Sequence, residues 1–293
     1  MLRASDPGYP SGLKDIHPPP EPLYVDGPWN HPGPHVAVVG TRNATEDGID
    51  VARDLARSLV ARGVAVVSGL ARGIDAAAHR GALDAGGLTG AVLGTSLDET
   101  YPRVHADLQM KVARSLGLMS EIAPGDSATP GTFASRNRIL AAIADVVVVV
   151  QGREGSGALI TARDATRLGR PVGAMPWDPR DPLGEAPHEL IRAGKATLVR
   201  DADDVMELIG VVSAPRAAPG RVSRVAPINL ERLLPHEAAL YRALRNRPLA
   251  LDDLAAAASL TASQLSVALL SLELNGLAKR APGGLARRAR RAP

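Results

Sequence analysis

Cysteine is absent from the 293 residues, which excludes disulfides and thiolate metal sites. Aromatic side chains are scarce: one Phe, two Trp and four Tyr. Ala, Val, Leu and Gly must therefore fill the interior, which suits helices packed closely on a parallel sheet better than a β-sandwich. No run approaches the roughly 18 apolar residues of a membrane span. The opening MLRASDPGYPSGLKDI lacks the apolar stretch of a secretory signal. A soluble, cytoplasmic protein with no membrane partner is the expectation. No internal repeat is evident.

What is present is a chain with 45% hydrophobic residues, enough for one α/β domain and a smaller one. The net charge of +3 is modest but uneven. Lys279, Arg280, Arg287, Arg288, Arg290 and Arg291 close the chain without an acidic residue among them. Two readings stay open, a solvated basic tail and a phosphate-binding one.

Residues 1–34 are Pro-rich and read as an extended lead-in, in which Tyr24 and Val25 are candidates for an edge strand. From 35 to 209, short apolar runs (35–39, 64–67, 90–93, 117–121, 146–150, 171–175, 197–199) alternate with helical patterns (46–62, 74–86, 106–115, 136–144, 158–168, 187–193, 203–209). Val146–Val150 has no polar alternation, so both faces should be buried, as in the middle of a parallel sheet. Strand–helix alternation at this spacing predicts an α/β fold, a Rossmann-like doubly wound parallel sheet. Residues 210–227 have no hydrophobic period and read as a linker. Within 228–289, three helical patterns (235–245, 251–258, 261–274) precede a basic hairpin around Pro282-Gly283-Gly284, a small C-terminal winged helix. Residues 290–293 end the basic tail.

Ligands of doubly wound sheets sit at the carboxyl ends of the strands. The first strand runs into Gly40-Thr41-Arg42-Asn43, where a glycine permits close backbone approach and an arginine suits phosphate. It is not G-x-G-x-x-G, and no acidic residue follows about 20 positions on, so no dinucleotide cofactor is expected. The second strand ends in Ser68-Gly69-Leu70-Ala71-Arg72-Gly73, another anion-suited loop. Asp75 and His79 follow, four apart on one helix face. They read as an acid/base or metal pair, or more plainly as a helix-N-terminal carboxylate and a locally bonded histidine. The second reading is preferred, because a metal needs more ligands than are visible.

Thr132-Phe133-Ala134-Ser135-Arg136-Asn137-Arg138 places the only Phe just ahead of a helix start with two arginines. A ring for a base to stack on and charges for phosphates are what single-stranded nucleic acid needs. By composition alone, a core Phe with surface arginines is the commoner arrangement. Gly155-Ser156-Gly157 offers a further amide concavity. Without a G-x-S-x-G elbow, Ser156 is not expected to be a nucleophile. With Arg153 added, the strand ends form a polyanion pocket without catalytic groups or metal ligands.

In this order VAVVGTRN (36–43), VVSGLARGIDAAAH (66–79), AVLGTSLD-x-x-YP (91–102), SEIAPG (120–125), F-x-x-RNRILA (133–141) and SGALITA (156–162) resemble the DprA/Smf family. The resemblance covers about residues 9–209, and the C-terminal module is similar to the winged helix many members carry. It implies an extended Rossmann fold that binds single-stranded DNA, dimerises, and helps load the RecA recombinase during natural transformation. Carried over residue by residue, the DNA pocket is Gly40, Arg42, Ser68, Gly69, Arg72, Phe133, Arg136, Asn137, Arg138, Ser156 and Gly157. By the resemblance, no counterpart of the family's N-terminal helical domain is expected in these residues. Pro176-Trp177 stands where Pro-Gly is usual, and Ala186-Pro187-His188-Glu189-Leu190-Ile191 departs from a Gly-x-Asn pattern.

Two other classes compete. A nucleoside-monophosphate phosphoribohydrolase would resemble P-G-G-x-G-T followed by a catalytic Glu, but the only P-G-G is at 282–284. A nucleotide-sensing winged-helix transcription factor would read duplex DNA with the helix at 261–274, which has no Arg.

Overall fold

The valines at 146–150 form β6 (Val146–Val149), buried along its whole length at the middle of a sheet. That sheet has eight strands in the order β1-β5-β4-β3-β2-β6-β7-β8. The others are β1 (Tyr24–Asp26), β2 (His35–Val39), β3 (Ala65–Ser68), β4 (Thr89–Val92), β5 (Gly117–Ser120), β7 (Val172–Ala174) and β8 (Thr197–Leu198). All pair in parallel except β1, which adds antiparallel to β5 at one edge. The computed structural model describes residues 1–210, 233–245, 248–281 and 283–289. It divides into two units, Met1–Pro215 and Arg216–Pro293.

The valines work on both faces because successive side chains of a strand point opposite ways. Val147 and Val149 pack with Ile139 and Leu140 of α4 (Pro130–Ile143) and Ala162 of α5 (Gly157–Arg167). Val146, Val148 and Val150 pack with Leu55 of α1 (Glu46–Val60), Ala77 of α2 (Ile74–Asp84) and Val205 of α7 (Ala202–Ile209). Each buried Val contributes about 1.5–3 kcal/mol, and small residues let the helices sit close. α3 (Ala106–Arg114) and α6 (Glu185–Arg192) complete the layers. The doubly wound α/β architecture read from the alternation is the one observed.

Two points in the first unit go beyond the sequence reading. The lead-in is largely irregular and puts Tyr24 and Val25 in the edge strand β1 as expected, and in addition Tyr9, Leu13, Ile16 and Leu23 are buried in the core on the α4 side. Its prolines limit it to the one edge strand β1, while its apolar side chains pack on the core face that carries α4. Secondly, α4 begins at Pro130 rather than at 136. Thr129 caps it by accepting from the Thr132 amide, Thr132 returns the bond, and proline occupies the first turn.

The second unit holds α8 (Pro235–Ala243), α9 (Leu251–Ala258), α10 (Ala262–Leu274) and the hairpin β10 (Ala278–Ala281) and β11 (Leu285–Arg288). A two-residue strand, β9 (Leu249–Ala250), joins the hairpin as a third strand, giving a winged helix. Part of the basic segment is built into this fold. Arg287 is buried, Arg280 pairs with Glu273, and Arg288 lies 4.5 Å over the Tyr241 ring while donating to Tyr241 O and Leu244 O. The expected linker (all but Gly210) and the tail end at 290–293 lie outside the described residues. Among the described residues no single helix is long and apolar enough to cross a membrane.

Candidate functional site

The strand order reverses between β2 and β6, and doubly wound sheets bind their ligands in the crevice at such a point. Here it is a cavity of about 320 Å³ lined by Gly40, Thr41 and Arg42 after β2, Phe133, Arg136 and Asn137 of α4, and Ser156 and Gly157 at the start of α5. The loops interlock tightly. A Cβ on Gly40 would lie 2.8 Å from Gln151 O, and one on Gly73, whose φ is +74°, would lie 2.8 Å from Arg42 O. Only glycine fits there, so the β2–α1 and β3–α2 loops are held in contact.

At the mouth of the crevice the Arg42 guanidinium sits 5.6 Å from the centre of the Phe133 ring, within cation–π range. Phe133 is half-buried, and Tyr101 leans on it with ring centres 5.2 Å apart. Gly157 opens α5 with room around it, and the Ser156 hydroxyl caps that helix by accepting from the Ala158 amide. The free amides of this end add a positive pole to the cationic mouth.

The floor is a different kind of structure. Arg136 is buried, and its guanidinium donates to Gly69 O, Val92 O and the Asn137 side chain. Burial lowers its pKa to about 10, with Asp75 opposing the shift, so it stays charged at neutral pH. Asp75, also buried, accepts from the Gly69 and Ala71 amides; burial pushes its carboxyl up, and Arg136 pulls it back. The charge of Arg136 is thus committed to the strand ends and to Asp75.

The expected site residues fall into three groups. Gly40, Arg42, Phe133, Arg136, Asn137, Ser156 and Gly157 line the crevice. Gly69 and Arg72 line a narrow slot on the far side of Arg42 and Phe133. Ser68 and Arg138 belong to neither. The Ser68 hydroxyl is buried and donates to Val38 O. Arg138 bonds Glu121 and Pro18 O, tying the lead-in to β5. Two positions apart on a helix is about 200° of rotation, so Arg136 and Arg138 cannot face one pocket. Arg153 is exposed on the loop after β6 and does not line the crevice. Tyr101 was missed as a site residue, although it stands in the quoted YP motif. The divergent 176–188 segment closes on itself: Trp177 donates to Asp181, and His188 bonds the Trp177 backbone.

Asp75 and His79 share a helix face but form no pair. Thr89 spends its one hydroxyl proton on Val66 O, so His79 Nδ1 must carry the hydrogen it shares with Thr89 Oγ1 at 2.7 Å. Nε2 is left buried without a partner. Burial, with His105, Arg136 and Arg80 nearby, lowers the His79 pKa to about 3. The unfolded chain therefore binds the extra proton between about pH 6.5 and 3, and His79 costs stability as pH falls through that window, up to about 1.4 kcal/mol per unit. Melting curves across pH should show the native chain losing stability in acid faster than His79→Gln. Parallel curves would contradict this.

The family model for DNA recombination-mediator protein A matches residues 1–210, and that for the DprA winged helix domain matches 226–284. A putative DNA processing protein DprA of Mycobacterium tuberculosis H37Rv is 41% identical over 247 residues, covering 83% of this chain and 61% of its own length. The chain thus spans about three fifths of that relative. Protein Smf of Escherichia coli K12 is 34% identical over 292 residues, covering 98% of this chain and 77% of its own. The X-ray structure of DprA from Streptococcus pneumoniae superposes with a TM-score of 0.67 at 37% identity, over 70% of this chain and 72% of that one. DprA from Helicobacter pylori, whose structure was described for its single-stranded DNA binding mode, gives 0.62 at 28% identity, over 68% of this chain and 91% of that one.

Proposed function

The chain belongs to the DprA/Smf family of DNA recombination mediators, and from that premise we propose that it binds single-stranded DNA in the crevice between β2 and α5. The observation that carries the reading is the mouth of the crevice, where Arg42 and Phe133 stack beside an exposed Tyr101. A base entering there meets a guanidinium plane with a ring behind it, while phosphates find Arg42, Arg72 and the open end of α5. Bases in a duplex are already stacked and do not offer their faces, so the geometry favours single strands.

The site binds without cleaving. Asp75, the carboxylate lining the crevice, is engaged by two loop amides, and the Ser156 hydroxyl caps a helix, so neither is a positioned base or nucleophile. The bound strand is protected and handed to a RecA-type recombinase by a homodimer, in natural transformation or recombination. The transcription-factor reading is weaker, because α10 carries no Arg or Lys, and Val267, Leu270 and Leu274 are exposed along it.

The test is a salt titration of binding to single-stranded and duplex oligonucleotides. Wild type should prefer the single strand, and Arg42→Ala should bind more weakly with a log–log salt slope shallower by roughly 0.7–1. An Arg42→Ala variant with unchanged affinity and slope, or equal binding of duplex by wild type, overturns the reading.

A further inference from the structure

Arg42 and Phe133 divide the crevice from a slot of about 50 Å³, whose other wall is Tyr101 and Pro102 and whose rim carries Arg72. The slot is narrow, with room for a few water-sized groups such as the oxygens of a phosphate. Tyr101 is 52% exposed. Its ring lies tilted against Phe133, and the loop behind it is pinned where buried His105 meets Leu70 O at 2.9 Å. In a chain with only seven aromatic residues in Phe, Trp and Tyr, two of them meet at this one cationic mouth.

We infer that Tyr101 is a second stacking platform, and that the site holds two consecutive nucleotides with their shared phosphate between Arg42 and Arg72. This rests on the single-strand reading above. The first base enters the crevice against Arg42 and Phe133. The chain then crosses the slot, where the phosphate lies between two guanidiniums, and the next base lies on the open face of Tyr101. Two ring platforms with centres 5.2 Å apart, beside a slot rimmed by Arg42 and Arg72, match one backbone step, which a mononucleotide cannot span. The ligand is thus an oligonucleotide segment, read through backbone and ring faces and not through base identity.

The experiment measures binding of a short oligothymidylate, and of the same strand with one abasic site walked along it, to the full chain and to Tyr101→Ala, Tyr101→Phe and Phe133→Ala. Tyr101→Phe should bind as wild type. Tyr101→Ala should weaken the intact strand about 5- to 150-fold, and this loss should vanish when the abasic site occupies one position. Phe133→Ala should be cancelled at the adjacent position. Weakening by Phe133→Ala with none by Tyr101→Ala overturns the inference and leaves the crevice reading standing. A Tyr101→Ala loss that persists on every abasic strand, or cancels at the Phe133 position, also overturns it, by showing that Tyr101 acts through Phe133. If neither alanine variant weakens binding, the crevice reading itself fails and takes the inference with it.

Discussion

Arg136→Met should lower the melting temperature of the first unit by on the order of 10 °C. The substitution keeps the length of the stem and removes the guanidinium that donates to Gly69 O, Val92 O and Asn137. Two buried carbonyls lose their donor, at about 1–3 kcal/mol each. Asp75 stays buried without the nearby cation that offsets its desolvation, which adds to the cost. For a domain of this size each kcal/mol moves the melting temperature by about 2–4 °C. The companion Arg136→Met/Asp75→Asn should recover part of the loss, since the carboxylate is then neutral. Thermal melting of the three proteins checks this. A variant that melts like wild type and only loses DNA affinity would show Arg136 to be a cation available to phosphate.

Phe133→Ala is expected to do the reverse. Stacking a base on an aromatic is worth about 1–3 kcal/mol by alanine substitution, so single-strand affinity should fall about 5- to 150-fold. Duplex binding should stay nearly unchanged. Truncating a fully buried Phe costs about 3–5 kcal/mol of stability, but Phe133 is half-buried, held between Arg42, Tyr101 and Gly94, so its melting shift should be well below that of Arg136→Met. Melting and binding on the same variant separate the accounts. A large fall in melting temperature with normal affinity in the remaining folded fraction would place Phe133 in the core.

The contrast between these neighbours shows where the sequence speaks and where it is silent. The valine run and the glycine-bearing strand ends were legible because strand period and turn chemistry are local properties. The role of Arg136 was not, because an arginine looks the same whether it faces phosphate or two carbonyl oxygens; burial is decided by β3 and β4, far away in the chain. Arg138 was within reach. Thr129-Pro130 is a helix start, and a helix begun there puts Phe133, Arg136, Asn137 and Leu140 on one face and turns Arg138 away. Tyr101 was hidden by another route: it stands in the YP motif, but it meets Phe133 only through the fold, so the motif alone did not say what the ring faces. In the basic run after 278, Arg287 and Arg288 were silent for the same reason as Arg136, since the winged helix itself consumes them.

The central claim, that the crevice of the first unit is where a single strand lies, is tested most directly by photocross-linking. Single strands carrying a photoreactive pyrimidine would be irradiated with the full chain and the adducts located by peptide mass. The expected adducts fall on the segments around Tyr101 and Phe133, and are lost to competing single strand but not to competing duplex. Adducts confined to residues 233–289 would contradict the claim and assign the strand to the winged helix.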